Sequence, residues 1–407
     1  MSPTMQSPDA PILGQVALSY CPIIDSQRNV MATRLSVFPL GHARWLPVGE
    51  LLTAVSQVWP ADGPQVVLSV RCEGLLADLL MVQPTSNVLV EVPKFMACDP
   101  VHRDSILALV EHGTTLLLSG RPDQPLPREL LGAFKYAIID LADERRLDGG
   151  PVPAGVKRSI GFFQEGVQTI EQMEGAFRRG AVAVLGWPVD ESEAVPAARS
   201  SAAALRPDLK VTLELLNQVH QEAPLSQIET TLKFDPTLAF RLMRYINSPV
   251  FGLTVEVTSF SQAVMLLGYQ RLKRWLALLL ATGGSDKNQR PVMYAAVRRG
   301  LLMEALVSTH PSGEHRNEMF ICGVFSLLDR MFQRPFSELL HTLPVSDDVY
   351  QALVEERGPY FPALDLVRTL EGGSGHDVRE KVALHGFQMR HVNRALLHAL
   401  ASAFQIG

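Results

Sequence analysis

The sequence predicts an α/β plus all-α protein: an N-terminal (β/α) TIM-like barrel with an antiparallel first strand, followed by an all-helical domain. Three observations predict it. Eight short apolar runs alternate with helix-like segments before residue 190. The first two runs are joined by too few residues for a crossover helix, so they form a hairpin. Beyond a small, polar, proline-punctuated stretch, nearly every segment has helical periodicity.

In chain order, residues 1–13 carry no periodic pattern and are expected to be disordered. The strands are "GQVALSY" (14–20), "NVMATRLSVF" (29–38), "QVVLSV" (65–70), "NVLVEV" (87–92), "TTLLLS" (114–119), "YAIIDL" (136–141), "RSIGFF" (158–163) and "AVAVLG" (181–186). Several are continuous apolar runs, as expected of strands covered on both faces. Only "CPIIDSQR" separates the first two, whereas segments such as "VGELLTAVSQVW" and "VHRDSILALVEHG" supply crossover helices later. The barrel thus spans 14–190, and the linker, within "DESEAVPAARSSAAALRPD", spans 191–206. Residues 207–407 form the helical domain. Helix starts are marked by Ser226, by Asp235 with Pro236 at the first helical position, and by Ser259 or Ser261.

Bulk properties narrow the function. The 407 residues are 47% hydrophobic and 19% charged, the composition of a folded globular chain. A net charge of -5 argues against broad attraction to nucleic acid or an anionic membrane surface. Cys21, Cys72, Cys98 and Cys322 lie far apart and form no C-x-x-C pair, so neither a zinc knuckle nor a disulfide framework is suggested. The opening "MSPTMQSPDAP" lacks the basic-then-apolar pattern of a signal peptide. The strongest apolar run, "WLALLLA" (275–281), is far shorter than the ~20 residues of a membrane span. A cytoplasmic location is the expectation, with no membrane and no nucleic-acid partner.

Two stretches of the second half, "DPTLAFRLMRYINSPVFG" and "VTSFSQAVMLLGYQRLKRWLALLL", resemble the HDOD domain, an all-α module of bacterial signalling proteins. The likeness covers roughly residues 207 to 405. Read physically, its motif residues are structural: Asn247 and Ser248 turn or cap the chain, and Gly268 ends a helix where a left-handed residue is needed. In the first half, "YCPIID", "GAFKYAIIDLAD" and "FFQEGVQTIEQMEGAFRRGAVAVLGWP" are similar to the EAL barrel, which in its active form hydrolyses cyclic di-GMP.

That resemblance implies a set of metal-holding positions, because phosphodiester cleavage there needs divalent ions held by several carboxylates and an asparagine. Most are replaced. The Glu and Arg of E-x-L-x-R fall on Arg34 and Phe38, the strand Asn on Ser69, and the D-D pair on Ser119 and Gly120. The Lys of K-x-D is Ile138, the last Glu of E-x-V-E-T is Gln168, the Gln of Q-G is Leu185, and the Gln of the opening motif is Cys21. Glu91 and Asp140 remain as remnant positions. Two carboxylates cannot hold the metals, and Arg34 is expected to pair with Glu91 or Asp140 across the barrel mouth. No metal, cofactor or catalytic residue is therefore assigned. With Cys21, Phe38 and Leu185 at the ligand-gripping positions, cyclic di-GMP is not expected to bind.

The helical half repeats this pattern. The His-Asp metal pair of related phosphohydrolases falls on Ser326 and Leu327, with Asp329 two residues beyond on another face. The literal His376–Asp377 lies in a Gly/Ser-rich loop, where Asp377 reads as a helix cap. His385, His391 and His398 read as surface or core histidines lacking a carboxylate partner. A candidate interaction surface is Arg271, Lys273 and Arg274 beside Trp275; the competing reading buries Trp275 and leaves the cations solvated. The expectation is a non-catalytic signalling or scaffold protein acting through other signalling proteins, with a homodimer as one candidate assembly. The resemblance links it to cyclic di-GMP signalling and to motility or biofilm. The alternative is a cyclic di-GMP sensor that does not hydrolyse its ligand.

Overall fold

Eight strands close into one barrel in sequence order. The computed structural model describes residues 11–41, 46–59, 61–122, 124–143, 160–189, 207–233, 238, 242, 245–246, 257, 260–282, 287–308, 312–332, 334–340, 343 and 345–402. The strands are β1 (Val16–Asp25), β2 (Val30–Pro39), β3 (Gln65–Val70), β4 (Val88–Pro93), β5 (Leu116–Ser119), β6 (Phe134–Asp140), β7 (Gly161–Glu165) and β8 (Ala183–Leu185). As predicted, β1 runs antiparallel to β2 and to β8, and the other neighbours are parallel. The hairpin is closed by Asp25, whose Oδ1 accepts hydrogen bonds from the amides of Gln27 (2.8 Å) and Asn29 (2.9 Å). This Asx turn lets Arg28 sit at φ 70.

Every strand sends at least one side chain into a shared lumen core, among them Ala32, Leu89, Leu117 and Phe163. Because side chains alternate with period two, the residue two positions on from each faces the lumen one layer closer to the strands' carboxyl ends. Those positions are Arg34, Glu91, Ser119 and Glu165, so a polar layer is built directly above an apolar floor. Outside the barrel, α5 (Ile170–Arg178) buries Met173 and Ala176 against Phe162 and Ile139. It is started by a capping box in which Thr169 and Gln172 bond each other's backbone amides.

Contacts divide the chain into two compact units, one joining Ser7–Ser192 to Arg290–Tyr294 and Asp365–Gly407. In it the C-terminal helices α15 (Gly375–Leu384) and α16 (Met389–Ser402) pack on β1. The reason is visible at β1's edge. The short β8 pairs only with Ile23–Asp25, which leaves the preceding part of β1 open on that side. Asn393, fully buried on α16, fills the gap: its Oδ1 accepts from the Leu18 amide (3.2 Å), and its Nδ2 donates to the carbonyls of Leu13 and Val16 (2.7 Å each). Asn393→Ala strands all three backbone groups and should cost about 2–4 kcal/mol. Urea unfolding reads the loss, and faster deuterium exchange at the Leu18 amide locates it.

Of the stretch expected to be disordered, residues 1–10 lie outside the described residues, while Pro11–Gly14 form a 3-10 turn with Ile12 and Leu13 buried. The linker 191–206 also lies outside them, as do Asp235, Pro236, Asn247, Ser248 and Ser259.

The second unit is helical: α6 (Pro207–His220), α7 (Leu225–Lys233), α8 (Phe260–Thr282), α9 (Arg290–Leu306, from Ala295 on), α10 (Gly313–Phe325) and shorter helices up to Leu364. Ser226 lies within the first turn of α7 rather than capping it, its carbonyl accepting from Thr230 Oγ1 (2.7 Å). Gly268 interrupts α8 at φ 70, the left-handed break its sequence position predicts. Among the described residues, no helix is long and apolar enough to cross a membrane.

Candidate functional site

The polar layer at the barrel mouth is an ion-pair network centred on Arg34. Its guanidinium grips Glu91 with two parallel bonds, Nε to Oε2 at 2.8 Å and Nη2 to Oε1 at 2.5 Å, and Nη1 donates to Glu165 Oε1. Arg34 and Glu91 are 4% and 3% exposed, so water does little to screen them. Arg71, just beyond β3, lies 4.0 Å from both Glu91 and Glu165 and is 43% exposed. Two cations therefore face two anions.

The electrostatics follow from the packing. Burial pushes the Glu91 carboxyl upward, but Arg34's charge and hydrogen bonds, aided by Arg71 and Ser119, outweigh it and hold Glu91 below the usual range. Burial likewise works against a charged Arg34, and the two carboxylates more than compensate. Cys21, beside this network, is pushed up to about 12 by burial, with Arg34 opposing and the carboxylates adding, so it stays a neutral thiol.

The sequence brings Arg34 and Glu91 together as expected, but Asp140 stands apart from the guanidinium's bonds. Its Oδ1 accepts the Ala142 amide at 2.8 Å, capping the turn after β6. The other partner is Glu165, which sequence reasoning missed. Its signal was the alternation that puts it two residues beyond Phe163, in ladder register with Asp140.

A divalent metal does not fit this arrangement. The carboxylates that would ligate it are occupied by a covalently tethered cation, and a guanidinium offers no open coordination position with which to activate water. Among the described residues, no group of three or more His, Cys, Asp or Glu side chains could hold a metal ion. Two of the positions to which the resemblance assigns ligand contacts are packed in this structure. Leu185 belongs to the lumen core, and Phe38 lies so close to Gly375 that a Cβ on the glycine would stand 2.5 Å from its own Cβ.

In the helical unit, Ser326 Oγ donates to the Gly323 carbonyl (2.7 Å) and accepts from Arg299 Nη1 (3.2 Å), while Leu327 is buried. Asp329 pairs with Arg330 at 3.1 Å. These contacts hold helices together and leave no His-Asp pair there. Among the C-terminal residues, the cap of α15 is Ser374; Asp377 is its reciprocal partner at the third helical position, which corrects the expected assignment. His385 does have a carboxylate partner, Asp365 Oδ2 at 2.7 Å, which also takes Lys381 Nζ at 2.8 Å. His391 is half-buried and His398 exposed.

The candidate interaction stretch divides. Trp275 is 4% exposed and stacks on Tyr245 at 6.1 Å, so it is core. Arg274 is held by Glu304 through bonds of 2.5 and 2.7 Å and lies over the Phe320 ring at 3.8 Å. Arg271 is exposed and Lys273 half-buried, so any surface offered here is theirs.

Fold and site together define an eight-stranded barrel whose mouth is filled by an ion-pair network, joined to a helical module. The HDOD domain profile matches residues 206–332. The cyclic di-GMP phosphodiesterase CdgJ of Vibrio cholerae is 25% identical over 337 residues, 80% of this chain and 76% of that protein. The uncharacterized protein YuxH of Bacillus subtilis is 27% identical over 257 residues, 62% of this chain and 61% of that one. A solved calcium and cyclic di-GMP complex of Klebsiella pneumoniae BlrP1 aligns at 16% identity and a TM-score of 0.30, covering 46% of this chain and 57% of that one. The chain is an EAL-like barrel fused to an HDOD domain, homologous to CdgJ and YuxH.

Proposed function

We propose that this chain is a non-catalytic signalling protein of the cytoplasm, working through contacts with other signalling proteins in cyclic di-GMP-linked control of motility or biofilm. One observation carries the reading: Arg34 occupies Glu91 and Glu165, so the mouth is neutralised from within. A chain that keeps a full barrel core while filling its metal-binding layer with a guanidinium works through its surfaces.

The test is turnover. Purified full chain incubated with cyclic di-GMP and magnesium or manganese should release no linear dinucleotide above the blank. Metal-dependent hydrolysis that disappears in Glu91→Gln would overturn the reading. A second reading, a sensor that binds without cleaving, is favoured by one observation: the mouth retains the half-exposed Arg71, a donor able to meet phosphate. Calorimetric titration separates the two. Saturable heat lost in Arg71→Ala supports the sensor, and silence at tens of micromolar nucleotide supports the scaffold.

A further inference from the structure

The helical unit holds a polar cluster that the barrel reading does not use. Lys273 Nζ lies 3.1 Å from Nδ1 of His220, the last residue of α6. Among the described residues, no carboxylate reaches this amine within ion-pair distance. The titratable groups acting on it are His220 from α6 and, through space, Glu314 and Glu318 from α10. Glu318 is itself engaged, accepting a 2.6 Å hydrogen bond from Tyr360 Oη. Half-burial without a directly bonded anion destabilises an ammonium.

We propose that Lys273 is an acceptor for acyl groups, with His220 as its proton acceptor and acyl phosphates as the donor class. The Nζ lone pair attacks the carbonyl carbon, a C–N bond forms, and the C–O bond to phosphate breaks. Phosphate departs with that electron pair, and the amine proton passes to His220 Nδ1 and on to water. The product is an amide, so one positive charge leaves the Arg271–Lys273 surface. The energetics agree in direction. Burial lowers Lys273's affinity for its proton, and the two glutamates only partly restore it. Burial and the neighbouring lysine lower that of His220, leaving a neutral imidazole able to accept.

Lys381 is the internal reference. Its Nζ is bound to Asp365 at 2.8 Å, and that bond raises its proton affinity. The full chain is treated with acetyl phosphate at several pH values between roughly 6.5 and 9, and acetylation of each lysine is followed by mass spectrometry. Lys273 should react at least about 10-fold faster than Lys381 at neutral pH, because its ammonium is destabilised and that of Lys381 is held by Asp365. His220→Gln should slow Lys273 by about 10-fold or more while leaving Lys381 unchanged. Equal rates for the two lysines in the native chain would overturn the proposal, whatever the variant does. So would a His220→Gln chain in which both lysines keep their native rates.

Discussion

Arg34→Ala should lower the stability of the barrel by about 3–5 kcal/mol, the usual consequence of removing one partner from a buried ion pair. Glu91, 3% exposed in the native chain, loses its bidentate donor, and Glu165 loses its bond as well. Urea unfolding followed by circular dichroism measures the change; a loss below about 1 kcal/mol would show the pair is far better solvated than its burial implies. Replacing both partners, as Arg34→Met with Glu91→Leu, should recover most of the loss, because neither charge is then buried alone.

The pH dependence of the same variants carries a sign. In the native chain Glu91 is held below its unfolded value. Its contribution is thus complete above about pH 4.3, the unfolded carboxyl value, and is lost as pH falls through the folded value. In Arg34→Ala burial is opposed only by Arg71 and the Ser119 hydrogen bond, and the folded carboxyl is expected to rise above the unfolded one. The variant's stability then falls as pH rises from about 4.3 towards the raised folded value. Unfolding midpoints at about pH 5 and about pH 8 distinguish the two behaviours.

Gly186→Ala should cost about 4 kcal/mol or more, combining backbone strain with overpacking. Gly186 sits at φ 131, and an added Cβ would stand 2.2 Å from the Val167 carbonyl oxygen, a backbone atom unable to swing away. Gly268→Ala is the comparison, since Gly268 also has positive φ (70) but nothing within 4 Å of the added carbon. It should pay only the conformational term, about 1–3 kcal/mol for a backbone at φ 70 and ψ 162. Similar losses at the two positions would mean that Val167 shifts to make room.

What could be read in the sequence depended on the range of the interaction. The strands were legible because burial on both faces writes continuous apolar runs, and the reversed first strand because "CPIIDSQR" is too short to cross over. The helical break at Gly268 was legible for the same local reason. The Arg34–Glu91 pair could be anticipated because a cation had replaced an acid among remaining acids. Glu165 is not legible from its own position, because its role follows from strand alternation and register. The Asp365–His385 bond joins positions whose proximity depends on how the terminal helices fold back, and no spacing rule reports it. Asn393 is the extreme case: one amide whose partners lie in a different kind of structure at the other end of the chain.

That last contact sets a schedule. Leu18 and Asn393 are 375 positions apart, and at roughly 5–20 residues per second a ribosome needs about 20–75 s to deliver the second after the first. Throughout that interval β1 carries an unsealed edge, the kind of exposed ladder on which neighbouring nascent chains pair. The barrel starts before the helical unit and is completed after it, which makes its early strands clients for whatever shields nascent chains until α16 emerges.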